Sequence, residues 1–131
     1  MPARILIIED DTHSRELVRY LFETSGYHVL EEADGGAGVR SALAEHPDLL
    51  VCDLRMPVLS GYQVVQHLLE NPGWRRVPVI AVTAFSMPED REKVLACGFD
   101  GYFTKPIDAE TFVGQIETFL PPALRAGPSH S

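Results

Sequence analysis

Five short apolar runs alternate with five segments of helical spacing, and few folds accommodate such an alternation. The apolar runs lie at residues 5–8, around Val29, and at residues 49–52, 77–82 and 102–103. Three of them are rich in Ile and Val and lack polar alternation, which is typical of strands covered on both faces. A strand followed by a helix, repeated five times, predicts a single doubly wound α/β sandwich with a parallel sheet and right-handed crossovers.

The helical segments carry apolar stripes and recognisable ends. The stripes comprise Leu17, Val18, Leu21 and Phe22; Val39, Ala42 and Leu43; Val64, Val65, Leu68 and Leu69; and Phe112, Val113, Ile116, Phe119 and Leu120. A fourth helix is predicted over residues 88–96, from its Pro-Glu-Asp start to the stop at Gly98. Asp11 is expected to cap the first helix. Residues 121–131 are rich in Pro, Gly, Ser and Ala, so we expect a folded domain over residues 1–120 and a disordered tail.

The charge balance and the lack of long apolar stretches narrow the class of protein. Eleven Lys and Arg residues against 19 Asp and Glu residues give a net charge of −8. An anionic chain repels nucleic acid and anionic membranes, so neither is an expected partner. The longest apolar runs are too short for a signal sequence or a membrane span, which predicts a cytoplasmic protein. Cys52 and Cys97 lack zinc or redox spacing and are expected to be small buried side chains.

Polar residues of related chemistry follow four of the predicted strands. Glu9 and Asp10 come after the first run, Asp53 after the third, Thr83 after the fourth and Lys105 shortly after the fifth. In an open parallel sheet, ligands bind outside the carboxyl ends of the strands. We therefore expect these five side chains to converge at one edge of the sheet.

Such a cluster predicts a metal-assisted transfer of a phosphoryl group. Each residue alone has an ordinary explanation, since an Asp at a strand end is usually a turn former or a helix cap. Together, three carboxylates repel one another unless a proton or a cation joins them, and hard oxygen ligands favour Mg²⁺. A carboxylate can also serve as a covalent phosphoryl acceptor, with the metal and an ammonium group stabilising the transferred charge. Glu31 and Glu32, which follow the second run, are expected to be peripheral.

Four segments carry a resemblance to a known family. They are residues 5–11 (ILIIEDD), residues 53–57 (DLRMP) with Gly61, residues 82–84 (VTA) and residues 102–106 (YFTKP). Over about residues 4–120 the chain resembles the receiver domain of two-component response regulators, the CheY-like group. Residues 82–106 are especially similar to the stand-alone DivK type and to receivers attached to hybrid histidine kinases. The resemblance implies a flavodoxin-like (βα)5 fold with the strand order 2-1-3-4-5.

The same resemblance implies a role for each residue of the cluster. Asp53 is the implied phosphoacceptor, and the implied Mg²⁺ ligands are Asp10, Asp53 and the backbone carbonyl of Arg55, with Glu9 acting through a bound water. Thr83 is expected to hydrogen-bond the phosphoryl group, Lys105 to pair with it, and Tyr102 to turn inward when Thr83 moves. A cis peptide bond is expected between Lys105 and Pro106. Arg55 and Phe85 occupy the positions that tune phosphate lifetime in the family.

The implied function is that of a phosphoacceptor rather than an enzyme, with at most weak autophosphorylation and autodephosphorylation. A histidine kinase or histidine phosphotransfer protein is the expected donor, and a downstream protein the expected reader. We expect a monomer, or a dimer that forms on phosphorylation. The Met start and the lack of a foldable segment after Leu120 favour a stand-alone regulator. The alternatives are the receiver of a hybrid histidine kinase or of a truncated multidomain regulator.

Two other classes share the predicted fold or chemistry. An aspartyl-phosphate hydrolase of the haloacid-dehalogenase type carries a second Asp two residues after its nucleophile, where this chain has Arg55, which cannot act as a general base. A flavodoxin-type cofactor binder needs a phosphate loop rich in Ser, Thr or Gly after the first strand, where this chain has acids. Both are less favoured than a receiver.

Overall fold

The computed structural model describes the backbone of residues 2–84 and 88–125, and the side chains of all of these except residues 88–90. Its strands are β1 (Arg4–Ile8), β2 (His28–Glu32), β3 (Leu49–Asp53), β4 (Val79–Thr83) and β5 (Gly101–Thr104). Its helices are α1 (Thr12–Thr24), α2 (Gly35–Glu45), α3 (Gly61–Glu70), α4 (Pro88–Ala96) and α5 (Phe112–Glu117). All neighbouring strands pair in parallel in the order β2-β1-β3-β4-β5. The predicted fold class and strand order are confirmed.

Both faces of the sheet are buried against helices. Ile5 and Ile7 point to one face and pack with residues of α1 and α5, including Phe22 and Ile116. The alternate residues of β1 point to the other face and pack with α2, α3 and α4. Because successive side chains of a strand alternate between faces, an unbroken apolar run serves both cores at once. This explains why the central strands are almost continuously apolar.

Helix caps and a close contact between α2 and β1 fix the positions of α1 and α2. The side chain of Asp11 accepts from Ser14 N at 2.8 Å, which confirms the predicted cap of α1. The predicted second helix was expected to follow Gly35 and Gly36, but α2 begins at Gly35 because Asp34 caps it. In α2, Gly38 lies against Ile8, where a Cβ would stand 2.6 Å from Ile8 Cδ1. A glycine here lets α2 approach β1 instead of ending the helix.

Two expectations at the periphery need correction, and the predicted tail stays a prediction. Within residues 121–125 of that tail, Pro122–Leu124 form a short 3-10 helix and Leu124 packs against the core on the α1 and α5 side. Residues 126–131 of the predicted tail lie outside the described residues. Cys52 is buried as expected, but Cys97 is only partly buried. Glu31 and Glu32 belong to β2 rather than to the segment after it.

Along the described parts of the chain, no helix combines the length and the apolar character needed to cross a bilayer.

Candidate functional site

Three carboxylates meet where β1 and β3 end. Glu9 and Asp10 directly follow β1, and Asp53 is the last residue of β3. Each of the three has an oxygen within 4.8 Å of an oxygen of the other two. Glu9 and Asp53 are buried, with 5% and 7% of their surfaces exposed, whereas Asp10 is exposed. The structure thus brings together the acids that the sequence placed at one edge of the sheet.

Lys105 bridges the two buried acids. Its Nζ donates to Glu9 Oε1 at 2.6 Å and to Asp53 Oδ2 at 3.1 Å. The other oxygen of Asp53, Oδ1, accepts from the backbone N–H of Arg55 at 3.1 Å. The peptide bond between Lys105 and Pro106 is cis, as the resemblance implied. The Lys105 backbone N–H donates to Thr83 O at 2.8 Å, which keeps the start of this loop beside β4.

The pKa values of Glu9 and Lys105 are both raised in this cluster. Burial raises the pKa of Glu9 from 4.5 to about 7; the hydrogen bond from Lys105 opposes this rise, and the neighbouring Asp53 adds to it. Burial alone would lower the pKa of Lys105, but the hydrogen bond to Glu9 and the charges of Asp53 and Glu9 outweigh it and raise that pKa. The contact with Lys105 therefore offsets only part of the cost of burying an ionised Glu9.

This donor set fits a hard divalent cation. Carboxylate oxygens are the ligands that such cations prefer, and the spacing of the three oxygens allows one ion to contact them together. Arg55 lies two residues beyond Asp53, at the start of the loop between β3 and α3, where its backbone is close to the Asp53 carboxylate. The oxygen ligands that these residues offer therefore fit the implied Mg²⁺.

Thr83 and Tyr102 lie on the same face of the sheet. Thr83 is fully buried at the end of β4 and pairs in register with Thr104 of β5. Tyr102 pairs in register with Ala81, two residues before Thr83, and packs against the core that contains α3 and α4. Residues paired in register share a face, and so do residues two apart along a strand. Phe85, the expected neighbour of the phosphate, lies outside the described residues.

One residue of the site had no signal in the sequence. Arg15 of α1 donates from Nη1 to the backbone carbonyl of Glu9 at 2.8 Å and from Nε to Glu31 Oε1 at 3.1 Å. No feature of the sequence assigns Arg15 to the site, and Glu31 was predicted to be peripheral. Their meeting depends on how α1 crosses β1 and β2, and spacing along the chain does not reveal that crossing.

Two open grooves lie beside Lys105 and the loop that follows it. The first, with a volume of about 340 Å³, runs between α1 and the loop after β5; Ser14, Leu17, Val18, Val82, Lys105 and Ile107 line it. The second, of about 660 Å³, opens between α4, β5 and α5; its lining includes Arg91, Tyr102, Phe103, Asp108 and Gln115. The first groove includes Lys105, which contacts Glu9 and Asp53, and the second includes Thr104 and Pro106, the neighbours of Lys105 along the chain.

The chain is similar in sequence and in fold to several known proteins. The DivK polar-differentiation response regulator of Brucella anthropi is 36% identical over 120 residues, which cover 92% of this chain and 98% of that protein. The receiver domain of a sensor histidine kinase from Pseudomonas aeruginosa, solved with a magnesium ion coordinated in its active-site cleft, is 32% identical with a TM-score of 0.82. That match covers 91% of this chain and 98% of the solved chain.

A chemotaxis protein supports the same conclusion at the level of the fold. CheY4 of Vibrio cholerae superposes with a TM-score of 0.85 at 26% identity, covering 92% of this chain and 100% of the other. The response regulator receiver domain family itself matches residues 5–117, which include every residue of the acidic cluster. On these grounds the chain belongs to the response regulator receiver domain family.

Proposed function

We propose that this protein is a phosphoacceptor in a two-component phosphorelay, that Asp53 takes the phosphoryl group, and that the reaction requires Mg²⁺. One observation carries the proposal. Asp53 is a buried carboxylate whose oxygens accept hydrogen bonds from Lys105 Nζ and Arg55 N. Oxygens of Glu9 and Asp10 lie within 4.8 Å of an Asp53 oxygen, so that one cation could contact all three acids. In this arrangement the proposed nucleophile lies beside the proposed cation site.

The proposed donor is a phosphohistidine of a histidine kinase or phosphotransfer protein. An Asp53 oxygen attacks the phosphorus, the P–N bond breaks, and its electron pair returns to the histidine nitrogen, so that an acyl phosphate forms on Asp53. Asp10, Asp53 and the backbone carbonyl of Arg55 would hold Mg²⁺, with Glu9 acting through water. When bound, Mg²⁺ supplies positive charge that stabilises the transferring phosphoryl group. We propose that the protein accepts this phosphoryl group and is not an enzyme acting on other substrates.

The residues around Asp53 also supply a means of reporting the modification. A phosphoryl group adds negative charge and acceptor oxygens, and Lys105 and the Thr83 hydroxyl are donors at the adjoining strand ends. Hydrogen bonds to charged groups contribute about 1.5–3 kcal/mol each, which suffices to shift an equilibrium between states a few kcal/mol apart. Tyr102 shares a sheet face with Thr83 and also lines the larger groove, so a change at Thr83 has a short path to the surface.

The two grooves offer separate places for the donor and for the reader. The smaller one includes Lys105 itself and apolar residues of α1, which suits a partner that must bring a phosphohistidine to Asp53. The larger one lies on α4, β5 and α5 and includes Tyr102, which suits a downstream protein that binds only the phosphorylated form.

Phosphorylation by a small P–N donor tests the proposal directly. Incubation with phosphoramidate and Mg²⁺ is expected to add one phosphoryl group, seen by intact mass, and hydroxylamine should remove it as it removes acyl phosphates. Asp53→Asn should abolish the addition, and chelation of divalent cations should suppress it in the wild type.

The matched control is Asp34→Asn. Asp34 is not one of the acids of the cluster: it caps α2, accepting from Ala37 N, and Asn caps a helix as well as Asp does. This variant should take up phosphoryl groups like the wild type. Hydroxylamine-sensitive addition to the Asp53→Asn protein would contradict the assignment.

A further inference from the structure

Arg15 fastens the segment that carries two of the three acids. The Glu9 N–H donates to Glu32 O at 3.0 Å, which extends the pairing of β1 and β2 by one residue. The carbonyl of Glu9 accepts instead from the Arg15 guanidinium at 2.8 Å. This carbonyl belongs to the rigid peptide unit that joins Glu9 to Asp10. Its orientation therefore influences where both carboxylates point.

The guanidinium of Arg15 is itself held in place. Its side chain is 16% exposed, and its Nε donates to Glu31 Oε1 of β2 at 3.1 Å. Glu31 accepts in addition from Arg19 Nη1 at 2.7 Å, so its carboxylate is fixed from a second side. Arg19 of α1 thus contacts Glu31 of β2, Glu31 contacts Arg15, and Arg15 contacts the backbone carbonyl of Glu9.

We propose that Arg15 is a positioning residue of the cation site, which sets the places of Glu9 and Asp10 through the Glu9 carbonyl. This inference rests on the proposed function, since it concerns the Mg²⁺ site assigned there. Arginine suits the task because its planar fork offers donors in fixed directions, and two of them reach a carbonyl and a carboxylate at once. A lysine at this position retains the charge but has a single nitrogen.

The effect of this contact is measurable as metal affinity rather than as activity. Titration of Mg²⁺ into the phosphate-free protein, followed by backbone amide chemical shifts, gives the dissociation constant of each variant. Loss of groups that orient metal ligands typically weakens metal binding by about 10–100-fold. We expect Arg15→Lys to weaken Mg²⁺ binding by about tenfold on this scale. Arg4→Lys, the same substitution in the ion pair between Arg4 and Glu45 and outside this chain of contacts, should bind like the wild type.

The dependence of phosphorylation on Mg²⁺ separates positioning from general damage. With phosphoramidate as donor, Arg15→Lys should need more Mg²⁺ for its half-maximal rate, yet approach the wild-type rate at saturation. Glu31→Gln, which removes the charged partner of Arg15, should show a smaller shift in the same direction. Glu31→Gln therefore tests the role of Arg15 even if the Arg15→Lys protein does not fold.

The possible results are distinct. Wild-type Mg²⁺ affinity in both Arg15→Lys and Glu31→Gln would overturn the inference, and so would a low rate of Arg15→Lys that Mg²⁺ does not restore. In either case the wild type still binds Mg²⁺ and takes up phosphate on Asp53, so the proposed function stands. Absence of Mg²⁺ binding in the wild type would overturn both.

Discussion

Glu9 is a buried acid whose ionisation works against folding, and replacing it isolates that effect. Its pKa in the folded protein is raised from 4.5 to about 7, mainly by burial. Between these two pH values the folded state binds more protons at this site than the unfolded state, so stability falls as pH rises. The loss is complete once pH exceeds the folded pKa. Glu9→Gln carries no ionisable group and should not show this fall.

The size of the effect follows from the shift. One unit of pKa corresponds to about 1.4 kcal/mol, so a change from 4.5 to about 7 corresponds to an upper value of about 3 kcal/mol. A small part of this is already lost at pH 5, so the difference expected between pH 5 and pH 8 is about 2–3 kcal/mol. In the metal-free protein, Glu9→Gln should therefore gain that much stability over the wild type across this interval.

Urea unfolding at both pH values, with divalent cations chelated, measures the difference. The control is Glu92→Gln, which removes an exposed carboxylate of α4 and should track the wild type at both pH values. The reasoning is refuted if the stability difference between Glu9→Gln and the wild type is the same at pH 5 and pH 8. It is refuted also if the variant becomes less stable as pH rises.

Three further substitutions probe backbone conformation at Gly61, Gly114 and Val58. A Cβ at Gly61 would stand 2.4 Å from Asp53 O and 2.9 Å from Leu54 Cα, so Gly61→Ala should cost about 1–3 kcal/mol of unfolding free energy and slow phosphoryl uptake. Gly114→Ala, with nothing within 4 Å of its Cβ, should instead stabilise α5 by about 0.5–1 kcal/mol in the same urea measurement. Val58 is 91% exposed with φ of 70°, a left-handed conformation that Asn adopts more readily. Val58→Asn should therefore raise the unfolding free energy by about 1 kcal/mol, and an unchanged urea midpoint would contradict this.

The fold was predictable because strong local signals agree with the final packing. The run at residues 49–52 lies within β3, buried along its whole length, and α4 covers the predicted residues 88–96. The convergence of Glu9, Asp53 and Lys105 followed from one general property of parallel sheets, that their strand ends share an edge. Strand ends moved by one or two residues, as where β4 includes Thr83, because hydrogen bonding and not hydropathy decides where a strand stops.

What the sequence did not predict depends on contacts between distant elements. Arg15 and Glu31 are 16 residues apart on a helix and a strand, and each alone resembles an ordinary surface charge. The segment after Leu120 looked unable to fold because of its composition. Leu124 nevertheless covers part of the core, and Arg125 Nε donates back to Leu120 O at 3.0 Å. Contacts of this kind with the folded core are not visible in the composition of a segment.

The buried acids at the strand ends provide a test of function that does not depend on similarity. Burial raises the pKa of Glu9, so its ionisation at pH 8 costs more than the contact with Lys105 returns. Buried ion pairs that serve only the fold can carry the same cost, so a gain in stability alone does not identify a cation site. Mg²⁺ binding must be measured on the same variant. Glu9→Gln should therefore make the metal-free protein more stable and its Mg²⁺ binding weaker, and only a cation site requires these two changes together.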